Sequence, residues 1–223
     1  MFSKELGLKL DKYHLLKHPF YQKYWNEGKL TREIIKDYAE QYYQHVKAFP
    51  RYISATHSIC EDIEKRKILL ENLQDEENKD GDHPKLWKNF AKAMGADEKE
   101  IENVKLDWFT KDMIDNFFSQ ARKSYAEGLA SLYTYERQIP EIAETKIQGL
   151  KKFYGVNSKE GLEFFEAHKS ADVIHRAECE KLLDGLSKEE QVKAEKASVL
   201  TARYLWNFLS GMTSKHKLEQ IAA

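Results

Sequence analysis

Apolar residues return every three to four positions along almost the whole chain, and that period fits helices and little else. The clearest stretch follows Gly28-Lys29-Leu30-Thr31, a turn that ends in an N-cap residue. Beyond it Ile34, Ile35, Tyr38, Tyr42, His45, Val46 and Phe49 fall on one stripe of a long helix. Only four prolines and ten glycines interrupt the sequence, mostly at junctions. No alternating strand pattern bounded by turns stands out, so the chain reads as all-α, with about seven to nine helices.

The breakers divide it further. Pro50 should kink or split the first long helix. A second helix covers roughly 62–78, and the polar run Asn78 to Asp82 ends it. Pro84 suits the first turn of the next helix, which runs to about Met94. Gly95 and the polar stretch after it mark a junction. Residues 110–138 read as one long helix, or two hinged near Gly128. Gln138-Ile139-Pro140 makes a bend, and 141–153 is helical. Asn157-Ser158 caps a helix over about 159–183, and Ser187 with Glu190 forms a capping box for the last one. The chain after Gly211 is expected to fray. No linker or repeat appears, so 1–223 reads as a single helical domain.

Charge is balanced, with 36 basic against 37 acidic residues, which argues against nucleic acid or an anionic membrane as partner. No window has the roughly 18 apolar residues of a membrane span. Two cysteines without a CxxC motif suggest a reducing compartment. The opening residues lack the apolar core of a signal peptide. The expectation is a bacterial cytoplasmic protein, with export by a route that needs no N-terminal signal left open.

The sharpest chemical signal is His168-x3-Asp172-x2-His175. Steps of four and three residues return to nearly the same helix face, so three metal-capable side chains share a stripe. Helical metalloproteins build sites from such inward carboxylates and histidines, and two histidines with a carboxylate suit non-haem iron. Glu76 and His83 form a second pair, on segments adjoining the 78–82 break. Glu136 is a third piece, facing inward if the aromatic run Leu132 to Tyr135 packs in the core. Three carboxylates and three histidines largely balance two divalent ions. The plainer alternative is a solvated polar face. Asp11-x2-His14 has similar spacing, the paired Glu-x2-His of ferritin-like proteins is absent, and the flanks of 168–175 are very polar.

Four stretches carry a resemblance over essentially the whole chain. They are Tyr42-Tyr43-x-His45-x-Lys47-Ala48-Phe49-Pro50; Asp75-Glu76-Glu77-Asn78 with His83 and Trp87 behind it; Tyr135 to Pro140; and His168 to His175. Together they resemble the chlamydial death-domain-associating (CADD-like) branch of the haem-oxygenase-like dimetal oxidases. Relatives of the quinone-synthesis enzyme PqqC and of TenA belong to the same group. The resemblance implies a seven-helix bundle, usually dimeric, with Glu76, His83, Glu136, His168, Asp172 and His175 holding two transition-metal ions, iron–iron or manganese–iron. It implies a dioxygen-dependent oxidase that forms para-aminobenzoate for folate synthesis, driven by an external reductant and consuming its own side chains. Tyr21 matches the sacrificed tyrosine and Lys146 the amino donor, while Tyr38, Trp87 and Tyr135 match aromatic residues around the site. Two departures stand out: one extra residue follows Tyr21, so that Tyr24-Trp25 stands where one Trp is expected, and Phe164 replaces an expected tyrosine. The first leaves Tyr21 and Tyr24 both open as the reacting residue.

Taken without the resemblance, Tyr38, Trp87 and Tyr135 read as core packing, Tyr21 as a helix-junction anchor and Lys146 as a solvated lysine. Three other functions stay open at this stage. One is a TenA-like thiamine-salvage hydrolase using Cys179, or less directly Cys60. Another is a PqqC-like oxidase acting on an external substrate. The third is a module that binds a death-domain protein.

Overall fold

The computed structural model describes residues 1–220 apart from Asp80 and the side chains of Ser170, Ala171 and Asp172. Among them are ten α-helices and no strand: α1 (Phe2–Leu10), α2 (Arg32–Ser58), α3 (Ile63–Glu76), α4 (His83–Ala93), α5 (Glu98–Asn103), α6 (Trp108–Lys123), α7 (Tyr125–Glu136), α8 (Ile139–Phe153), α9 (Lys159–Asp184) and α10 (Lys188–Lys215). Nine of these ten exceed six residues, against the seven of the expected bundle.

Local chemistry sets most of the starts. Thr31 Oγ1 accepts from the Ile34 N–H, Asp62 from Glu64 and Lys65, Asp82 from Lys85, and Ser158 from Gly161. Ser187 and Glu190 close the expected capping box at α10. Each such cap contributes about 1 kcal/mol, enough to fix where a helix begins. Burial supplies the rest. Helix α2 is central, packing against α3, α4, α6 and α7. It buries Ile35, Tyr38, Tyr42, His45, Val46, Phe49, Tyr52 and Ile53. Trp87, Phe90, Phe117, Phe165 and Phe208 close around that stripe. Each ring removed from water contributes roughly 2–3 kcal/mol.

Several boundaries differ from expectation. Pro50 does not split α2, which runs through it to Ser58. The break in 110–138 comes at Ser124, which is extended, and not at Gly128. Gly128 lies inside α7 because Thr56 presses on it: an added Cβ would stand 2.4 Å from Thr56 Oγ1. The polar run after Gly95 holds Asp97, which caps α5. Helix α8 begins two residues early, with Pro140 in its first turn. Beyond Gly211, α10 continues to Lys215, and Met212 and Leu218 are fully buried where frayed chain was expected.

The segment between α1 and α2 contains a six-residue π-helical turn, Phe20–Trp25. Its signature is a bond from Asn26 N–H to Tyr21 O at 3.0 Å and one from Lys29 N–H to Tyr24 O at 2.9 Å, both spanning five residues. A π-turn takes up one residue more than an α-turn. It falls in the stretch where the resemblance places an extra residue after Tyr21.

Candidate metal centre and its aromatic cavity

Three helix ends and one helix middle meet in the bundle. Glu76 is the last residue of α3, His83 the first of α4, Glu136 the last of α7, and α9 brings His168 and His175. All five side chains are buried. Donor atoms of Glu76, His83 and His168 lie within 4.8 Å of one another. His83 Nδ1 is 2.8 Å from Glu76 Oε2. His168 donates Nδ1–H to the Phe164 carbonyl at 2.8 Å, one turn earlier. That bond fixes the tautomer and leaves the Nε2 lone pair for the cluster.

The other half is ordered by hydrogen bonds. Glu136 Oε1 accepts from Asn72 Nδ2 at 2.6 Å, and Oε2 accepts from the Cys179 thiol at 3.4 Å. His175 Nε2 is 2.9 Å from Asp75 Oδ2, the carboxylate–histidine arrangement common behind metal ligands. Asp172, the sixth predicted ligand, lies outside the described residues. Burial pushes Glu76 up, but His83, His168 and His175 outweigh it and hold the carboxyl below its usual range. Buried carboxylates with correctly oriented imidazoles suit first-row divalent ions. The residues present therefore fit a metal.

Against this cluster lies a cavity lined by Tyr21, Tyr38, Tyr42, Trp87, Tyr135, Lys146, Phe164 and His168, among others. Its free volume is about 20 Å³, room for about one water molecule. Lys146 on α8 is 3% exposed. Its Nζ donates to the Tyr38 hydroxyl at 2.5 Å and sits 4.4 Å from the centre of that ring and 5.1 Å from that of Trp87. Among the described residues no carboxylate pairs with it, and burial drives its pKa far below the usual lysine value. The ring faces do not fully replace the lost hydration, so burial favours the neutral amine.

Tyr38 also meets the Tyr21 hydroxyl, and Tyr42 meets that of Tyr135. Burial pushes Tyr21, Tyr38 and Tyr42 all upward, so the phenols stay protonated. Tyr38 stacks on Tyr42 at 5.5 Å, Tyr42 lies 5.1 Å from Trp87, and Trp87 meets Phe164 edge-on at 4.8 Å. Phe164 in turn lies 4.1 Å from His168. Where a tyrosine was expected, Phe164 contributes a ring and the carbonyl that orients His168. Tyr24 faces an outer groove with His18 and Trp206, whereas Tyr21 shares the cavity with Lys146.

The predicted site residues that can be described thus gather at one place. Sequence reasoning missed Asn72, Asp75 and Tyr42. Asn72 was findable, because it precedes Glu76 by one helical turn. Asp75 was not, because its contact with His175 crosses from α3 to α9.

A helical bundle with a buried carboxylate–histidine centre beside an oxidisable aromatic cavity defines a class of redox metalloprotein. Residues 36–206 match the family described as iron-containing redox enzyme, and the chain belongs to that family. It is 42% identical over 209 residues to the 4-aminobenzoate synthase of Chlamydia trachomatis serovar D, covering 93% of this chain and 90% of that one. A TenA homologue from Pseudomonas syringae superposes with a TM-score of 0.82 at 16% identity, covering 96% of this chain and 93% of the other. A domain of unknown function with a haem-oxygenase-like fold from Shewanella denitrificans gives 0.80 at 16% identity, covering 99% and 94%. The protein is thus an all-α, haem-oxygenase-like redox enzyme related to the 4-aminobenzoate synthases.

Proposed function

We propose that the protein makes 4-aminobenzoate from its own side chains. Tyr21 supplies the ring, and Lys146 supplies the amino nitrogen. Glu76, His83, Glu136, His168, Asp172 and His175 hold two transition-metal ions, iron–iron or manganese–iron. Once reduced by an external donor, such a pair supplies the means to activate dioxygen. The observation that carries the reading is the Lys146 cavity. The Lys146 amine and the Tyr21 phenol share a space of about 20 Å³, which has no room for an external aromatic substrate.

The chain's own groups have definite tasks here. Burial favours the neutral form of Lys146, which has a lone pair for forming a carbon–nitrogen bond. It can also take the proton that Tyr38 must release when a buried phenol gives up an electron. Tyr42, Trp87 and Tyr135 bridge the space between that pair and the metal end at ring-contact distance. The apolar walls keep out bulk water, which would quench an oxidised ring.

The test is to load purified protein with iron, or manganese and iron, add reductant and dioxygen with no organic substrate, and assay for 4-aminobenzoate. The reading expects at most one equivalent per chain, and none from Tyr21→Phe or Lys146→Met. Product that appears only with an added aromatic would transfer support to a quinone-synthase-like oxidase. Neither Cys60 nor Cys179 lines the cavity, which gives a TenA-like hydrolase no comparable support. The relatives' activity brings with it the proposals of a homodimer and a cytoplasmic setting. Among the described residues no helix is long and apolar enough to cross a membrane.

A further inference from the structure

Asn72 lies on α3, one turn before Glu76, and its side chain is 3% exposed. Its Nδ2 donates to Glu136 Oε1 at 2.6 Å, while the Cys179 thiol donates to Glu136 Oε2 at 3.4 Å. The Asn72 amide thus presents its NH₂ to the Glu136 carboxyl. This orientation leaves Asn72 Oδ1 buried without a hydrogen-bond partner. An orphaned amide oxygen is costly to bury, and cores rarely keep one without a use for it. An apolar residue at 72 would avoid that cost and would also release Glu136.

We infer that Asn72 and Cys179 are positioning residues for the Glu136 half of the metal centre, with Asn72 Oδ1 accepting a hydrogen bond from water carried by the second ion. The inference rests on the two-metal reading above and deepens it. The two halves of the centre differ in how they are built. Glu76, His83 and His168 already converge within 4.8 Å and take the first ion. Glu136 instead accepts from Asn72 on α3 and from Cys179 on α9. Cys179 spends its proton on Glu136, so it acts as a thiol and not as a thiolate ligand. The half-site thereby keeps the oxygen and nitrogen character that suits manganese and iron, and does not favour thiophilic ions.

The probe is cobalt(II), added anaerobically to protein stripped of metal, with absorbance and equilibrium dialysis as readouts. Wild-type protein should bind two ions without an intense thiolate-to-cobalt charge-transfer band. Asn72→Leu should weaken only the second ion, by about 10–100-fold, the usual effect of losing an outer hydrogen-bond partner. Cys179→Ser keeps a donor and should stay close to wild type, whereas Cys179→Ala should weaken the second ion by about tenfold. If Asn72→Leu does not fold, Asn72→Gln serves, because its longer stem displaces the amide and should also weaken the second ion alone. Wild-type affinity for both ions in the Asn72 variant would overturn the inference and leave the two-metal reading standing. So would a thiolate band that Cys179→Ser removes, since it would make Cys179 a ligand. Fewer than two ions in the wild type would overturn both.

Discussion

An amine buried to 3% exposure with no carboxylate beside it costs stability, and the cost depends on pH. Burial holds the pKa of Lys146 well below the ordinary lysine value in the folded chain, while the unfolded chain binds a proton up to that ordinary value. The unfolded state therefore holds more protons between those two values, and stability rises with pH across that window. Lys146→Met removes the cost and keeps the volume. We expect it to abolish product and to stabilise the fold at pH 7 by on the order of 1–3 kcal/mol, several degrees in melting temperature. The gain should shrink as pH approaches the ordinary lysine value, which melting curves from pH 7 to 10 would show. A variant that melts lower at pH 7 would mean that Lys146 is charged and well solvated. Two histidines behave alike in acid. Burial lowers His18 to about 4 and His45 to about 3, from an ordinary 6.5. Both are neutral when folded and protonate when unfolded, so the metal-free protein should lose stability as pH falls from about 6.5 toward 4. His45→Phe should flatten that loss, as acid titrations followed by circular dichroism would record.

Helices and their caps were legible in the sequence wherever a start signal preceded an apolar stripe. Thr31, Ser158 and Ser187 cap the helices that their positions suggested. Signals that depend on a neighbouring element were not legible. Gly128 reads as a hinge until Thr56 is seen filling the space beside it. Pro50 reads as a breaker until the surrounding core holds α2 together across it. The π-turn at Phe20–Trp25 has no apolar period or cap signal of its own in the sequence. At the site, the His168–His175 spacing gave the face, but Lys146 read as an ordinary solvated lysine by its own neighbours. Its burial is a product of α8 meeting α2, α4 and α9. Positions at element ends carry this centre, so capping should matter to it. Asp82 Oδ1 accepts from Lys85 N–H at 2.8 Å at the start of α4, one residue before His83. Asp82→Ala should cost about 1 kcal/mol and lower metal affinity as well, measured by thermal melting and by metal titration. Equal affinity with lowered stability would show that α4 holds His83 without its cap.

At the scale of the molecule, the metal and the fold should stabilise each other. Ions that bind only the folded chain add about 2.7 kcal/mol at a concentration 100 times the dissociation constant. Loading should therefore raise the melting temperature by several degrees, and His168→Ala should lower metal content and melting temperature together. Full metal occupancy with unchanged melting in that variant would refute the link. The same fold also confines the chemistry: Tyr21 and Lys146 face each other across Tyr38 in a space of about 20 Å³, with His168 in its wall. The measurement that tests the account most directly is peptide mass spectrometry of metal-loaded protein before and after one exposure to reductant and dioxygen. The account predicts loss of the Tyr21 side chain and a matching change at Lys146, in proportion to the 4-aminobenzoate released. Product formed while the peptides bearing Tyr21 and Lys146 keep their mass would contradict it.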